Sequence, residues 1–327
     1  MSSFVRHARN RRLRLSLAAL PKWSRRRGAT AFCGLLLLTG VGLIALSPAT
    51  VLNVIALWGK YRATTGIAYA PGPRHSLDIY APEPRSAAAA PVVVFFYGGD
   101  WQEGDRATYR FVGAALAARG LVTVIPDYRV YPEVRFAGFL EDGALAVKWV
   151  HDHAAEFGGD PARLVLMGHS AGGYIAAMLA YDRQWLAAVG LDPDRDVKGL
   201  VGLAGPYDFL PLHRDTLKII FGPEDHLAAT QPINFVEPGA PPAFLASGRD
   251  DDMVDPGNVT RLARRIGEKG DAVTTKFYDG VGHRMLIGAF AAPLRSLAPV
   301  LRDTVEFVDG VAGTAPRAAP VVVAAPR

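Results

Sequence analysis

The chain has 327 residues, of which 50% are hydrophobic and 20% are charged. This composition is typical of a globular protein with a sizeable core, and it excludes a disordered chain. The formal net charge of +5 arises from residues 1–59, which contain nine Lys or Arg and no acidic residue, so that 27 basic and 31 acidic residues remain elsewhere. Because the folded part is mildly acidic, we expect no nucleic-acid partner.

The first predicted element is a membrane segment. Residues 1–27 form a basic tail, and residues 28–59 contain no charged side chain. About 20 apolar residues span a bilayer, and basic residues before them keep the N-terminus in the cytoplasm. We therefore expect an anchor at 28–59 in a bacterial-type inner membrane, with the rest of the chain outside the cytoplasm. The alternative is secretion after signal-peptide cleavage near residues 47–49.

Residues 60–309 show a repeated alternation of short apolar runs with helical patterns. Because strands that alternate with helices indicate a mostly parallel sheet covered on both faces, this rhythm predicts an α/β domain. The predicted strands are 67–69, 76–80, 91–97, 121–125, 163–167, 200–203, 243–246 and 273–277. The predicted helices are 109–119, 140–157, 171–181, 256–269 and one after 284.

Two segments do not follow this rhythm. Residues 205–242 are rich in Pro, Asp and aromatic residues, which is typical of an insertion that covers an active site. Residues 310–327 are rich in Ala and Pro, and this composition predicts a disordered tail.

The pentapeptide Gly168-His-Ser170-Ala-Gly172 carries the strongest chemical signal. It follows an apolar strand pattern and opens a helix pattern, which is the setting of a nucleophilic serine on a sharp turn. Its glycines are needed because neighbouring side chains would clash in such a turn. The sequence therefore predicts Ser170 as the nucleophile, whereas the alternative is a helix N-cap.

A serine nucleophile needs a base, and the base needs a carboxylate that orients it. His283 follows the last predicted strand, at the sheet edge where ligands meet such folds. Three aspartates, Asp250, Asp251 and Asp252, follow the preceding strand, and only one of them can face His283. The chain order Ser, Asp, His is the order found in this type of fold.

Adjacent glycines follow the strand predicted at 91–97. Such residues allow backbone N–H groups to approach a developing oxyanion closely. The predicted donors are the N–H groups of Gly99, Asp100 and Ala171, and the alternative is an ordinary Gly-Gly turn.

Taken together, residues 64–305 resemble the α/β-hydrolase esterase and lipase group. The likeness is to hormone-sensitive-lipase-like and feruloyl-esterase-like carboxylesterases, with kynurenine formamidases and isoprenylcysteine methylesterases as relatives. The motifs that carry it are Tyr97-Gly-Gly-Asp-Trp101, Pro126-Asp-Tyr-Arg129, Gly159-Asp-Pro161, Gly168 to Gly173, Gly205-Pro-Tyr-Asp208, Asp251-x-x-Val254 and Gly282-His283. The family pattern favours Asp251 as the triad acid, because it lies three residues before a valine. Tyr97 departs from the family, which usually has histidine there.

The resemblance implies a serine carboxylesterase that cleaves small or medium acyl esters through an acyl-enzyme, without a metal or an organic cofactor. The expected partner is a small-molecule ester. Amide or formamide hydrolysis is an alternative, because the same triad serves it. A membrane-anchored binding protein with an inactive hydrolase fold is another, although the triad is intact in the sequence.

Overall fold

The computed structural model describes residues 48–84, 86 and 88–313. Within them, eight strands form one sheet in the order β1-β2-β4-β3-β5-β6-β7-β8. The strands are β1 (Tyr61–Ala68), β2 (Ser76–Pro82), β3 (Ala90–Phe96), β4 (Val122–Pro126), β5 (Gly159–His169), β6 (Val197–Leu203), β7 (Ala243–Gly248) and β8 (Val273–Tyr278). Each overlaps a strand predicted from the sequence.

Helices connect most of these strands. They are α1 (Pro48–Ala56), α2 (Arg110–Ala117), α3 (Gly138–His153), α4 (Ala171–Tyr181), α5 (Arg183–Ala187), α6 (Pro193–Asp196), α7 (Asp215–Phe221), α8 (Gly257–Glu268), α9 (His283–Gly288) and α10 (Val300–Ala312). Short 3-10 helices lie at Arg106–Tyr109, Ala154–Phe157, Glu224–Thr230, Pro232–Phe235 and Ala292–Leu294.

The sheet is mostly parallel, as predicted. Only the pairings of β1 with β2 and of β2 with β4 are antiparallel within the described residues. Strand β3 lies between β4 and β5 and pairs in parallel with both. Its apolar run is fully buried from Val92 to Phe96, because helices cover both faces of a parallel sheet. The carboxyl ends of β3, β5 and β7 therefore meet at one edge, where the candidate site residues follow.

One helix lies near each end of the described chain. Residues 48–56, placed in the predicted segment 28–59, form the nine-residue helix α1. Its Asn53 side chain accepts a hydrogen bond from Phe111 N at 3.0 Å and donates one to Ala107 O at 2.9 Å. At the other end, α10 continues to Ala312, past the limit of 309, because its apolar residues pack on the sheet.

No helix of the described residues is long and apolar enough to cross a bilayer. Residues 1–47, which contain most of the predicted membrane segment and the whole basic tail, lie outside the described residues. Residues 314–327 of the predicted tail also lie outside them.

The chain from residue 205 to residue 242 connects β6 to β7 and carries α7 and two of the 3-10 helices. We call it the covering segment. Phe209 and Phe221 from this segment contact the ring of Trp101, with centroids 6.0 and 4.8 Å away. The covering segment therefore packs against the loop that follows β3.

Candidate active site

Ser170 lies on a sharp turn between β5 and α4, and we call residues 168–172 the elbow. Its φ of 57° and ψ of −126° are strained for a residue with a side chain. A Cβ on Gly168 would come within 2.0 Å of Gly172 O, and one on Gly172 would come within 2.0 Å of Phe96 O. Both positions therefore require glycine, and together they hold the serine at the end of its strand.

The β7–β8 pairing brings the predicted acid and base together. Asp250 N donates to Val281 O at 3.2 Å, which joins the loops after the two strands. His283 Nδ1 lies 2.8 Å from Asp251 Oδ2, and both side chains are almost entirely buried. Asp250 and Asp252 are exposed, so Asp251 is the aspartate that the structure places against His283.

The Asp251 carboxylate is held in its charged form. Burial by itself would raise its pKa, but hydrogen bonds from His283 and from the N–H groups of Val254 and Met253 outweigh burial and lower the pKa. Val254 N lies 2.9 Å from Asp251 Oδ1, which gives the Asp-x-x-Val spacing a physical basis. Because an ionised carboxylate only accepts hydrogen bonds, His283 must carry its proton on Nδ1. In the neutral ring, Nε2 is then free to accept a proton.

His169 is not among the residues predicted for the site, but it contacts His283. Its Nε2 donates to His283 O at 3.1 Å, and the two ring centroids are 4.7 Å apart. Burial, followed by the nearby His283, lowers the pKa of His169 to about 3. His169 is therefore neutral and adds no charge beside the base. The sequence gives no signal for this contact, because it joins residues 114 positions apart.

The loop after β3 approaches the serine closely. A Cβ on Gly98 would lie 2.9 Å from Ser170 Cβ, so only glycine fits there. The predicted donors Gly99 and Asp100 follow at once, with φ values of 151° and 56°. Within the described residues, no acceptor binds the N–H groups of Gly99, Asp100 or Ala171. These three groups remain available to a substrate oxygen.

Tyr97 supports this loop at the position where relatives were expected to carry histidine. Its hydroxyl donates to Asp127 Oδ1 at 2.8 Å and accepts from Arg74 Nη2 at 3.0 Å. Its ring stacks on Tyr128 with a centroid distance of 4.8 Å. Burial raises the pKa of Tyr97, so the hydroxyl keeps its proton. The substitution therefore leaves the loop with a buried anchor.

A cleft of about 370 Å³ lies beside the loop after β3, and neither Ser170 nor His283 is among its lining residues. Its walls come from the loop after β3, from the covering segment and from the loop that carries Asp251, and they combine apolar with charged side chains. Lining residues include Trp101, Phe209, Leu212, Arg214, Met253 and Arg261. Among the described residues, no group of three or more His, Cys, Asp or Glu side chains is arranged so that it could hold a metal ion.

Curated relatives of the chain include esterases. It is 28% identical over 266 residues to a probable isoprenylcysteine alpha-carbonyl methylesterase of Arabidopsis thaliana, covering 75% of this chain and 55% of that protein. It is 34% identical over 154 residues to Esterase LipC of Mycobacterium tuberculosis, covering 46% and 38% of the two chains. The chain thus spans about half or less of the length of these two relatives.

Comparisons with solved structures and with family models also relate the chain to esterases. A propionate-bound thermophilic esterase of Thermogutta terrifontis is 26% identical, with a TM-score of 0.63 over 79% of this chain and 97% of that one. Esterase B of Lactobacillus rhamnosis, at 19% identity and a TM-score of 0.70 over 85% of this chain and 96% of that one, shares the fold. These likenesses show an α/β-hydrolase fold. Since residues 77–266, more than half of the chain, match the BD-FAE family, the chain belongs to that family.

Proposed function

We propose that the protein hydrolyses carboxylic esters with small or medium acyl groups, with Ser170 as nucleophile. The observation that carries this proposal is the buried His283–Asp251 pair, 2.8 Å apart, beside a strained serine elbow. The esterase names of the relatives favour esters over amides or formamides as substrates.

In the first step, Ser170 Oγ attacks the ester carbonyl carbon and His283 Nε2 takes the serine proton. The Nδ1–H bond to Asp251 fixes the ring orientation and stabilises the imidazolium that forms. His283 then gives the proton to the leaving alcohol oxygen as the C–O bond breaks. An acyl group remains on Ser170, and a water molecule activated by His283 releases it as a carboxylic acid.

Negative charge develops on the carbonyl oxygen during both attacks. The unbonded N–H groups of Gly99, Asp100 and Ala171 are proposed to hold that oxygen, and Ala171 also opens α4, whose N-terminus favours negative charge. Donors fixed in advance need no reorganisation when charge develops. This is the reason a strained, well-anchored loop suits the site.

Turnover of p-nitrophenyl acetate and butyrate by the full-length chain tests the proposal. We expect hydrolysis by the wild type and a loss of about 10⁴-fold or more in kcat for Ser170→Ala. A p-nitroanilide of the same acyl group should react far more slowly. Faster cleavage of the anilide would show that amides, and not esters, are the preferred substrates. Unchanged activity of Ser170→Ala would contradict the proposal that Ser170 is the nucleophile.

We further propose that the N-terminal segment anchors the protein in a membrane with the hydrolase part outside the cytoplasm. The uncharged run after Arg25, Arg26 and Arg27 supports this orientation. Carbonate-resistant membrane pelleting, with protease accessibility from outside, would agree with an anchor. Recovery of a shortened chain from the medium would favour cleavage and secretion, and recovery from the cytosol would contradict both.

A further inference from the structure

An ion pair joins the covering segment to the loop that carries the proposed oxyanion donors. Arg214 Nη1 lies 3.1 Å from Asp100 Oδ1, and Arg214 Nη2 contacts Asp100 Oδ2. Gln102 Nε2 also donates to Asp100 Oδ2 at 2.8 Å. Arg214 and Asp100 are 114 positions apart in sequence and both line the cleft. The two guanidinium bonds fix the direction of the carboxylate as well as its position.

The backbone at Asp100 is strained, and the main-chain bonds of this turn, from Gln102 N and Glu103 N to Gly99 O, do not involve the Asp100 side chain. Asp100 and Trp101 have φ values of 56° and 58°, in the left-handed region that side chains disfavour. Trp101 is held from the interior by edge contacts with Tyr174 and Phe221, at 5.2 and 4.8 Å. Asp100 faces the cleft and lacks interior packing of that kind. Its side chain is held instead by Arg214 from across the cleft and by its neighbour Gln102.

We propose that Arg214 is a positioning residue, which acts through Asp100 to aim the N–H groups of Gly99 and Asp100 at the substrate oxyanion. This inference rests on the proposed esterase function. Arg214 is about half exposed and Asp100 about a third, so the pair contributes little to overall stability. Its effect falls on the transition state, where a small misdirection of a donor slows the reaction. The covering segment therefore takes part in catalysis as well as in enclosing the cleft.

A matched control exists in the same chain. Arg183 forms an ion pair with Asp194, with side-chain exposures of 54% and 33% against 55% and 36% for Arg214 and Asp100. Arg183 does not line the cleft. Arg214→Met thus removes a cation that lines the cleft, and Arg183→Met removes an equally exposed cation that does not.

The experiment measures kcat and KM for p-nitrophenyl butyrate, and the rate at which a fluorophosphonate probe labels Ser170, in full-length variants. We expect Arg214→Met to lower kcat and the labelling rate together by about tenfold, with KM within about twofold of the wild type. Arg214→Lys should recover about a third of the wild-type kcat, because lysine keeps the charge but not the two-point contact. Arg183→Met should match the wild type.

A double-mutant cycle adds Asp100→Asn and the variant that carries both Asp100→Asn and Arg214→Met. If both residues act as one unit, the double variant is no slower than the slower single variant. Multiplied losses, a change confined to KM, or equal kcat in Arg214→Met and Arg183→Met would overturn the positioning role. The proposed function is judged separately. If the wild type is active and Ser170→Ala is inactive, the proposed function is upheld, whatever the result for Arg214→Met. If the wild type is unreactive, both proposals are overturned.

Discussion

Two buried histidine–aspartate pairs occur in the described part of the chain, and we propose that they have different roles. His283 and Asp251 lie 2.8 Å apart beside the elbow. His75, in the turn between β1 and β2, has its Nε2 atom 3.0 Å from Oδ1 of Asp142 in α3. Their burial and distances are similar, so neither property alone identifies a catalytic pair.

The pairs differ in what else their atoms bind. Both ring nitrogens of His75 have acceptors, since Nδ1 contacts Pro71 O and Nε2 contacts Asp142. Arg129 also donates to Asp142, with Nη2 at 2.7 Å. Among the described residues, His283 Nε2 has no hydrogen-bond partner and Asp251 has no ion pair with a lysine or an arginine.

Of these two pairs, only the His283 pair has a ring nitrogen free to accept a proton, and this difference supports the proposal that His283 is the base. The His75 pair satisfies its polar atoms completely, as a structural network must. The His283 pair leaves Nε2 without a hydrogen-bond partner among the described residues, and the His283 ring lies 4.7 Å from the ring of His169, the neighbour of Ser170. The following predictions compare the two pairs and the groups around the site, from the largest expected effect to the smallest.

The largest difference is expected between His283→Gln and His75→Gln. Glutamine cannot take the serine proton, so His283→Gln should lower kcat for p-nitrophenyl butyrate by about 10⁴-fold. His75→Gln should keep kcat within about threefold of the wild type and lower the Tm instead. Similar kcat losses in both variants, measured where both are folded, would refute the distinction.

Substitution of Asp251 should affect mainly catalysis, whereas substitution of Asp142 should affect mainly stability. Asp251→Asn no longer holds the His283 tautomer, so kcat should fall by about 10³- to 10⁴-fold. Asp142→Asn deprives Arg129 of its carboxylate and should lower the free energy of unfolding by about 3 kcal/mol. Urea denaturation and ester turnover check the two effects. An Asp142→Asn variant that is fully stable but inactive would contradict the structural role of Asp142 and indicate a catalytic role instead.

Much of this arrangement could be predicted from the sequence, because it depends on local pattern. Buried strands such as β3 appear as continuous apolar runs, and the elbow requires glycines at 168 and 172 whatever surrounds it. The choice of Asp251 over its neighbours rests on the family resemblance, in which a valine follows three residues later, and the N–H of that valine binds the carboxylate at 2.9 Å. These features involve few residues and short separations.

The remaining features depend on tertiary contacts. The His169 bond to the His283 carbonyl and the Arg214 pair with Asp100 each join residues 114 positions apart. The short helices of the covering segment have too few residues to show a periodic pattern. The role of Tyr97 could not be inferred either, because its partners Asp127 and Arg74 come from two other loops.

Tyr97→Phe should have an intermediate effect. It removes the hydroxyl between Asp127 and Arg74, so we expect a loss of about 1–3 kcal/mol in the free energy of unfolding. The loosened oxyanion loop should lower kcat by about threefold to tenfold. Tyr278→Phe is the control, because that hydroxyl donates to Asp303 Oδ2 at 2.9 Å. If both variants lose equal stability and keep equal kcat, Tyr97 does not support the site.

The smallest effect concerns His169 and pH. Its folded pKa is about 3, below the usual value near 6.5, so the unfolded chain binds the extra proton first. The stability gained from neutral His169 is thus present above about pH 6.5 and is lost progressively as the pH falls towards 3. Between pH 7 and 5, the free energy of unfolding should fall by about 2 kcal/mol more in the wild type than in His169→Gln. Urea denaturation at each pH gives both values, and parallel curves would show that His169 is not held neutral.

Trapping the acyl-enzyme tests the central claim most directly. Full-length protein is mixed with p-nitrophenyl butyrate, quenched in acid within milliseconds, digested and analysed by mass spectrometry. We predict a butyryl group on Ser170 in the peptide that contains Gly168 to Gly173. A butyryl group on another residue, or steady turnover by Ser170→Ala, would contradict Ser170 as the nucleophile.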